Sequence, residues 1–96
     1  MSALIDEQAR TDLLHRLRRA EGQLRGIQRM LENKEDCQLI GRQFSAVRKA
    51  LDSTYLRMTM CFVTQEMETH AKNSDSTDRQ MALMLKEMET MLRRIA

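Results

Sequence analysis

The chain has no proline or tryptophan, three glycines and three aromatic residues (Phe44, Tyr55 and Phe62) among 96 residues. β-Sandwiches and barrels need turn residues about every ten positions, and this composition does not supply them. Two cysteines are too few for a disulfide-rich scaffold. The longest apolar run, 81–85, is far shorter than the roughly 20 residues of a membrane span. These absences predict an all-α fold with a single domain over residues 1–96.

Apolar residues recur at steps of three and four along the chain and predict three amphipathic helices. The first helix is expected over about residues 6–32 and the second over about 36–70. The third helix is expected after a polar turn at 71–76, with Asp75 or Ser76 as its N-cap. The stripes are Leu13, Leu17, Ala20, Leu24, Ile27 and Leu31; then Ile40, Phe44, Val47, Leu51, Tyr55, Met58 and Phe62; then Met81, Met84, Leu85, Met88, Met91, Leu92 and Ile95.

The second predicted helix would be roughly 50 Å long at 1.5 Å per residue. Because it outgrows a monomeric three-helix domain, its far half must pack on another subunit or stand in solvent. Gly22 and Gly26 lie inside the first helix, where each costs roughly 1 kcal/mol relative to alanine. Their spacing of four predicts close approach of another backbone on that face.

Positive charge is concentrated in the first helix, where residues 15–30 contain five arginines and only one acidic residue, Glu21. On a helix, Arg18, Arg25 and Arg29 share one strip, and Arg16, Arg19 and Gln23 share its neighbour. Both strips lie off the apolar stripe. Guanidinium groups bind phosphate oxygens bidentately, so this face is suited to a polyanion such as DNA. The alternative is a solvated face with local ion pairs.

Nine methionines raise the possibility of a soft-metal site. Most lie on the helical stripes, which favours core packing over copper ligation. Met58, Met60 and Cys61 are the one cluster of thioethers with a thiol. Because three residues within one turn point in different directions, they do not form a site unaided.

Several motifs occur in a fixed order between residues 12 and 51. Residues 15–32 read HRLRRAEGQLRGIQRMLE, Asp36-Cys37 follows a short break, and residues 43–51 read QFSAVRKAL. This pattern resembles the CsoR/RcnR/FrmR family of bacterial repressors. The resemblance implies a three-helix protomer, an antiparallel four-helix-bundle dimer and usually a dimer-of-dimers tetramer. It also implies that basic residues of the first two helices bind operator DNA without a helix-turn-helix, and that an effector releases the DNA.

The predicted DNA-binding residues combine the resemblance with charge. Arg16 and Arg18 match basic positions of the family. The other candidates are chosen from charge and helical position. The full set is Arg16, Arg18, Arg19, Gln23, Arg42, Arg48 and Lys49.

The effector site departs from the family pattern. In the metal-sensing branch, the resemblance implies that the first cysteine is joined across the dimer by ligands on the second helix, 25 and 29 positions later. Counted from Cys37, those positions are here Phe62 and Glu66. Phe62 cannot bind a metal, so no resident cofactor is expected. The persulfide-sensing branch has its second cysteine at the Glu66 position, and the formaldehyde-sensing branch has an N-terminal proline where Ser2 stands.

Three interpretations of the cysteines remain open. In the first, Cys37 is a sensor thiol near arginines that responds to an electrophile or oxidant and pairs with Cys61. In the second, Cys37 and Cys61, with Met60 or Glu66, bind a soft ion such as copper. In the third, nothing is sensed at this position.

The sequence therefore predicts a cytoplasmic, homo-oligomeric transcriptional repressor whose partner is operator DNA and not a membrane. An oligomeric helical interaction protein, or a variant metal-sensing member, is the alternative. No paired carboxylates, Ser/His/Asp set or phosphate-binding loop is visible, so the chain is not expected to be an enzyme.

Overall fold

The computed structural model describes residues 2–72 and 77–94, which form three α-helices. They are α1 (Glu7–Glu32), α2 (Cys37–Lys72) and α3 (Asp78–Arg93). These residues contain no strand, which confirms the predicted all-α fold, and the bounds of α1 and α2 agree with prediction within two residues. The molecule is elongated, with extents of 60 × 26 × 14 Å. None of the three helices in the described ranges has an apolar stretch sufficient to cross a bilayer.

Polar side chains define where the helices begin. The Asp6 carboxylate accepts a hydrogen bond from the backbone N–H of Ala9 and caps α1. In α3 the N-cap is Thr77, whose hydroxyl accepts from the N–H of Gln80, while the Gln80 side chain accepts from the N–H of Thr77. The predicted cap at Asp75 or Ser76 is therefore wrong. Those two residues lie outside the described ranges, and the reciprocal capping box begins at Thr77.

The contact between α1 and α2 depends on a small apolar cluster. Ile27, Ile40 and Val47 are buried together, with Met30 packed against them. The buried residues of α1 are spaced seven apart and are Leu13, Ala20 and Ile27. The other members of the predicted stripe, Leu17, Leu24 and Leu31, remain 38 to 57% exposed. One protomer thus covers only half of the α1 stripe.

The third helix packs on α2 through methionines. Met84, Met88 and Met91 are buried, and the Tyr55 hydroxyl donates to the carbonyl oxygen of Met91 at 3.0 Å. These three methionines lie in the core, as their spacing predicted. Ile95, the last residue of the predicted stripe, lies outside the described ranges.

No other backbone packs closely against the two glycines of α1 within the protomer. A Cβ added at Gly22 or at Gly26 would meet no atom within 4 Å. The predicted close approach is therefore wrong within the chain, because α2 packs on the Leu13, Ala20 and Ile27 side of α1. Both glycines leave open space on the surface of α1 next to its arginines.

Candidate nucleic-acid interface

The α1–α2 pair has two flanks of opposite character. Residues before and after a buried position on a helix point about 100° to either side of it, so Asp12 and Leu14 lie on opposite sides of the buried Leu13. We call the Leu14 side the apolar flank. It borders an open groove of about 610 Å³ lined by residues that include Leu14, Leu17, Leu51, Tyr55 and Met58. We call the Asp12 side the polar flank, and helical spacing places Arg16, Arg19 and Gln23 on it.

An ion-pair network joins the two helices on the polar flank. Arg16 Nε, one turn after Asp12, donates to Asp12 Oδ2 at 3.0 Å. Arg57 Nε, from α2, donates to the same oxygen at 2.6 Å. Partial desolvation raises the pKa of Asp12, but the two arginine hydrogen bonds and charges outweigh it and lower the pKa below its usual value. The carboxylate therefore stays ionised at neutral pH.

A second group of arginines points away from α2. Arg18, Arg25 and Arg29 lie about 160° from the buried Ala20 and Ile27. All three are exposed, and none of them forms an ion pair with the residues that the structure describes. We call this strip the outer face of α1. Its guanidinium groups have their hydrogen-bond donors available for a ligand.

The candidates on α2 are divided between sides of the helix. Arg42, Arg48 and Lys49 are all exposed. Arg42 and Lys49 lie on the side turned away from α1, whereas Arg48 is about 180° from Arg57 and so lies toward the apolar flank. Arg48 is therefore not brought together with Arg16. Arg57, which was not predicted, bonds the same Asp12 oxygen as Arg16. Finding it requires the antiparallel register of the two helices, which the sequence motifs do not supply.

The two cysteines are far apart on one continuous helix. Cys37 is the first residue of α2 and is exposed, and Cys61 is partly buried. Twenty-four residues of α-helix separate their Cα atoms by about 36 Å, far beyond the reach of a disulfide or of shared metal ligation. Pairing of Cys37 with Cys61 within one chain is excluded, so any joint site must form between chains.

Of the two residues at the family's metal positions, one lacks a donor atom and the other is a buried carboxylate. Phe62 is buried and has no donor atom. Glu66 is also buried, with its Oε2 4.0 Å from Nε2 of His70 on the next turn. Within 2–72 and 77–94, no three His, Cys, Asp or Glu side chains are grouped so that they could hold a metal ion.

Cys61 borders a second groove, which the N-terminal segment helps to form. Its lining includes Ile5, Arg57, Cys61 and Gln65. The side-chain amide of Gln65 holds this segment at two points, donating to the carbonyl of Ala3 at 2.8 Å and accepting from the N–H of Ile5 at 2.9 Å. Residues 3–5 are thereby fixed along α2.

Comparison with known proteins identifies the family. A variant of the formaldehyde-responsive regulator FrmR from Salmonella enterica serovar Typhimurium is similar in structure, with a TM-score of 0.77 and 27% identity over 96% of this chain and 99% of that one. The copper-sensing transcriptional repressor RicR of Mycobacterium tuberculosis is 45% identical over 51 residues, so this chain aligns with about half, 53%, of that relative's length. The profile of the metal-sensitive transcriptional repressor family matches residues 9–94. The predicted resemblance is confirmed, and the chain belongs to the metal-sensitive transcriptional repressor family.

Proposed function

We propose that this protein is a DNA-binding transcriptional repressor that holds operator DNA on the arginine-bearing surfaces of α1 and α2. The observation that carries the proposal is the outer face of α1, where Arg18, Arg25 and Arg29 are exposed without ion pairs in the described residues. Membership of a family of transcriptional repressors, rather than of enzymes, supports it. We place the protein in the cytoplasm, where it meets operator DNA, and expect no membrane partner.

The chemistry of these side chains suits a phosphate backbone. A guanidinium remains charged at all physiological pH values and presents several N–H donors in one plane, so it can bind two phosphate oxygens at once. Gly22 and Gly26 project no side chain beside the arginines, which allows close approach of a bulky ligand. Arg19, Gln23, Arg42 and Lys49 are further candidates from the polar flank and the outer side of α2, whereas Arg48 would need a contact from the apolar flank.

The apolar flank supports assembly into a homo-oligomer. Leu14, Leu17, Leu24 and Leu51 are each at least 38% exposed in the protomer, and burying such side chains is favourable by roughly 25 cal/mol per Å². An antiparallel dimer closed on this flank forms a four-helix bundle and leaves the outer face of α1 open on both protomers. Two-fold symmetry then matches a palindromic operator. Exposed Met81, Leu85 and Leu92 on α3 favour further pairing into a tetramer.

Release of DNA is proposed to follow modification of Cys37. Its thiol is exposed at the start of α2, on the element that carries Arg42 and Lys49. RicR is a copper-sensing repressor and FrmR is a formaldehyde-responsive regulator. In this chain Phe62 occupies one of the ligand positions and cannot bind a metal. An electrophile or oxidant is therefore favoured over a metal. A soft ion held by Cys37 of one chain and Cys61 of another is the alternative.

The direct test of DNA binding uses Arg18→Ala, because Arg18 forms no ion pair in the described residues that the change would break. Wild-type protein is expected to select a duplex from a random-sequence library. Arg18→Ala should bind that duplex at least about tenfold more weakly, since hydrogen bonds to charged groups contribute about 1.5–3 kcal/mol. Fluorescence anisotropy measures the affinity, and size-exclusion chromatography with light scattering checks that the oligomer is unchanged.

Arg79→Ala is the matched control, because Arg79 is exposed at the start of α3 and far along the sequence from the outer face of α1. Its affinity should remain close to wild type. If no duplex is selected at 50 mM salt, or if both variants bind like wild type, the repressor proposal is wrong. Retained assembly without DNA binding would then favour the interaction-protein alternative.

Cys37→Ala tests the release step. Wild-type protein bound to its duplex is exposed in turn to copper(I), formaldehyde, peroxide and polysulfide. At least one agent is expected to change the intact mass and to weaken binding by about 5–150-fold, the usual size of an allosteric coupling. Cys37→Ala should keep the duplex under the same agent, and Cys61→Ala should release it. Release from Cys37→Ala at the wild-type concentration contradicts a role for this thiol.

A further inference from the structure

One carboxylate oxygen on the polar flank accepts hydrogen bonds from guanidinium groups of both helices. Asp12 Oδ2 lies 3.0 Å from Arg16 Nε and 2.6 Å from Arg57 Nε. Because both nitrogens bond the same oxygen, the two guanidinium groups are held side by side, although they are 41 positions apart in the sequence. The arrangement carries two positive charges and one negative charge.

The outer sides of these groups remain open to a ligand. The side chains of Arg57, Arg16 and Asp12 are 53, 39 and 37% exposed. Each guanidinium has five N–H donors, and its hydrogen bond to Asp12 is made through Nε alone. The four terminal NH₂ groups are therefore left to bind an anion. Among the described residues, no second carboxylate pairs with either arginine.

Stability alone is a weak explanation for this network. Exposed ion pairs typically contribute between nothing and about 1 kcal/mol, because solvent and salt screen them. A carboxylate placed among arginines also lowers the positive potential of a surface proposed to attract DNA. The Asp12 carboxylate can offset this loss of potential by ordering the site. It restrains two long arginine side chains before DNA binds, so less conformational freedom is lost on binding.

We propose that Arg16 and Arg57 form one composite site for a DNA backbone phosphate, and that Asp12 is the positioning residue that aligns them. This inference rests on the proposed function and deepens it by adding a contact from α2 and a role for an acidic residue. Arg57 touches the phosphate, whereas Asp12 acts through the two guanidinium groups. The site joins α1 to α2 at the ligand, so both helices must keep their register for the phosphate to be bound.

Asp12→Asn provides the sharpest test, because charge and positioning predict opposite results. Removing a negative charge should by charge alone strengthen binding to every duplex. Our proposal instead predicts binding to the selected duplex about tenfold weaker than wild type, with the slope of affinity against salt no smaller. The control is Glu21→Gln, which removes an exposed α1 carboxylate that has no ion pair within the described residues. Glu21 lies two turns after Leu14, so light scattering must first show that its oligomer is unchanged. Glu21→Gln should then bind as tightly as wild type or more tightly.

Variants at Arg57 test the contact between Arg57 and the phosphate separately. They keep the proposal testable if circular dichroism shows that Asp12→Asn is unfolded. Arg57→Gln should weaken binding about tenfold and reduce the salt slope by about one per site. Arg57→Lys should keep the wild-type dependence of affinity on salt but bind more weakly, since an ammonium lacks the planar fork of N–H donors of a guanidinium.

The composite site is overturned if folded Arg57→Gln keeps the wild-type affinity and salt slope. It is also overturned if folded Asp12→Asn binds as tightly as wild type or more tightly. Either result leaves the repressor function in place. Absence of duplex binding by the wild-type protein at 50 mM salt overturns both proposals together.

Discussion

Ile27→Ala is expected to lower the free energy of unfolding by about 2–5 kcal/mol, the range measured for large-to-small changes in protein cores. Ile27 is only 3% exposed and joins α1 to Ile40 and Val47 of α2. Truncation removes apolar contacts and leaves a cavity that two stiff β-branched neighbours cannot easily fill. Because a small domain has a total stability of only about 5–15 kcal/mol, the loss is a large part of the whole. Urea denaturation followed by circular dichroism measures it.

Ile5→Ala is the matched control for this prediction. Ile5 has the same side chain but is 70% exposed, so its truncation should change stability by less than about 0.5 kcal/mol. Both variants should be measured at several protein concentrations, because an oligomer gains stability by mass action. Equal losses for the two variants contradict the assignment of the cluster around Ile27 as the core of the α1–α2 pair.

DNA affinity is expected to fall by about 10³–10⁵-fold between 50 and 200 mM salt. This range corresponds to roughly 6–10 neutralised phosphates. Arg18, Arg19, Arg25 and Arg29 are exposed on α1 of each protomer, and a dimer presents the set twice. Each phosphate contact releases condensed counterions, so the logarithm of affinity falls linearly with the logarithm of the salt concentration. Anisotropy titrations across a salt series give the slope.

Removing two of these cations should reduce that slope by a predictable amount. The double variant Arg18→Ala/Arg25→Ala deletes four charges from a dimer, and the slope should become less steep by about 0.9 for each phosphate that is no longer neutralised. Arg79→Ala serves again as the control and should leave the slope unchanged. A wild-type affinity that is insensitive to salt is incompatible with binding through the phosphate backbone.

Helical periodicity was enough to locate the helices but not to divide their apolar residues between core and surface. The stripe on α1 was predicted as one face, yet Ala20 and Ile27 are buried whereas Leu17 and Leu24 are exposed. A protomer core favours apolar residues because it excludes water, and the subunit interface that we propose would favour them for the same reason. Pattern alone cannot tell which of the two a given leucine enters.

The polar site was predictable in its residue types but not in its pairing. Charge and the family motif made Arg16 and Arg18 the first candidates for DNA contact. The structure places them differently, since Arg16 is engaged with Asp12 whereas Arg18 points outward. Arg57 was missed because its approach to Asp12 depends on the antiparallel register of α1 and α2. Asp12 lies one turn before Arg16, so the sequence alone suggests an ordinary i,i+4 ion pair between those two residues.

The two helix contacts of the protomer are made from different kinds of side chain. Ile27, Ile40 and Val47 join α1 to α2 with Met30 packed against them, and branching at Cβ restricts the first three to few rotamers. Methionines join α2 to α3, and an unbranched thioether with three rotatable bonds adapts to changes in its surroundings. The third helix is therefore the element of the protomer that can adapt to a different neighbour at the smallest packing cost.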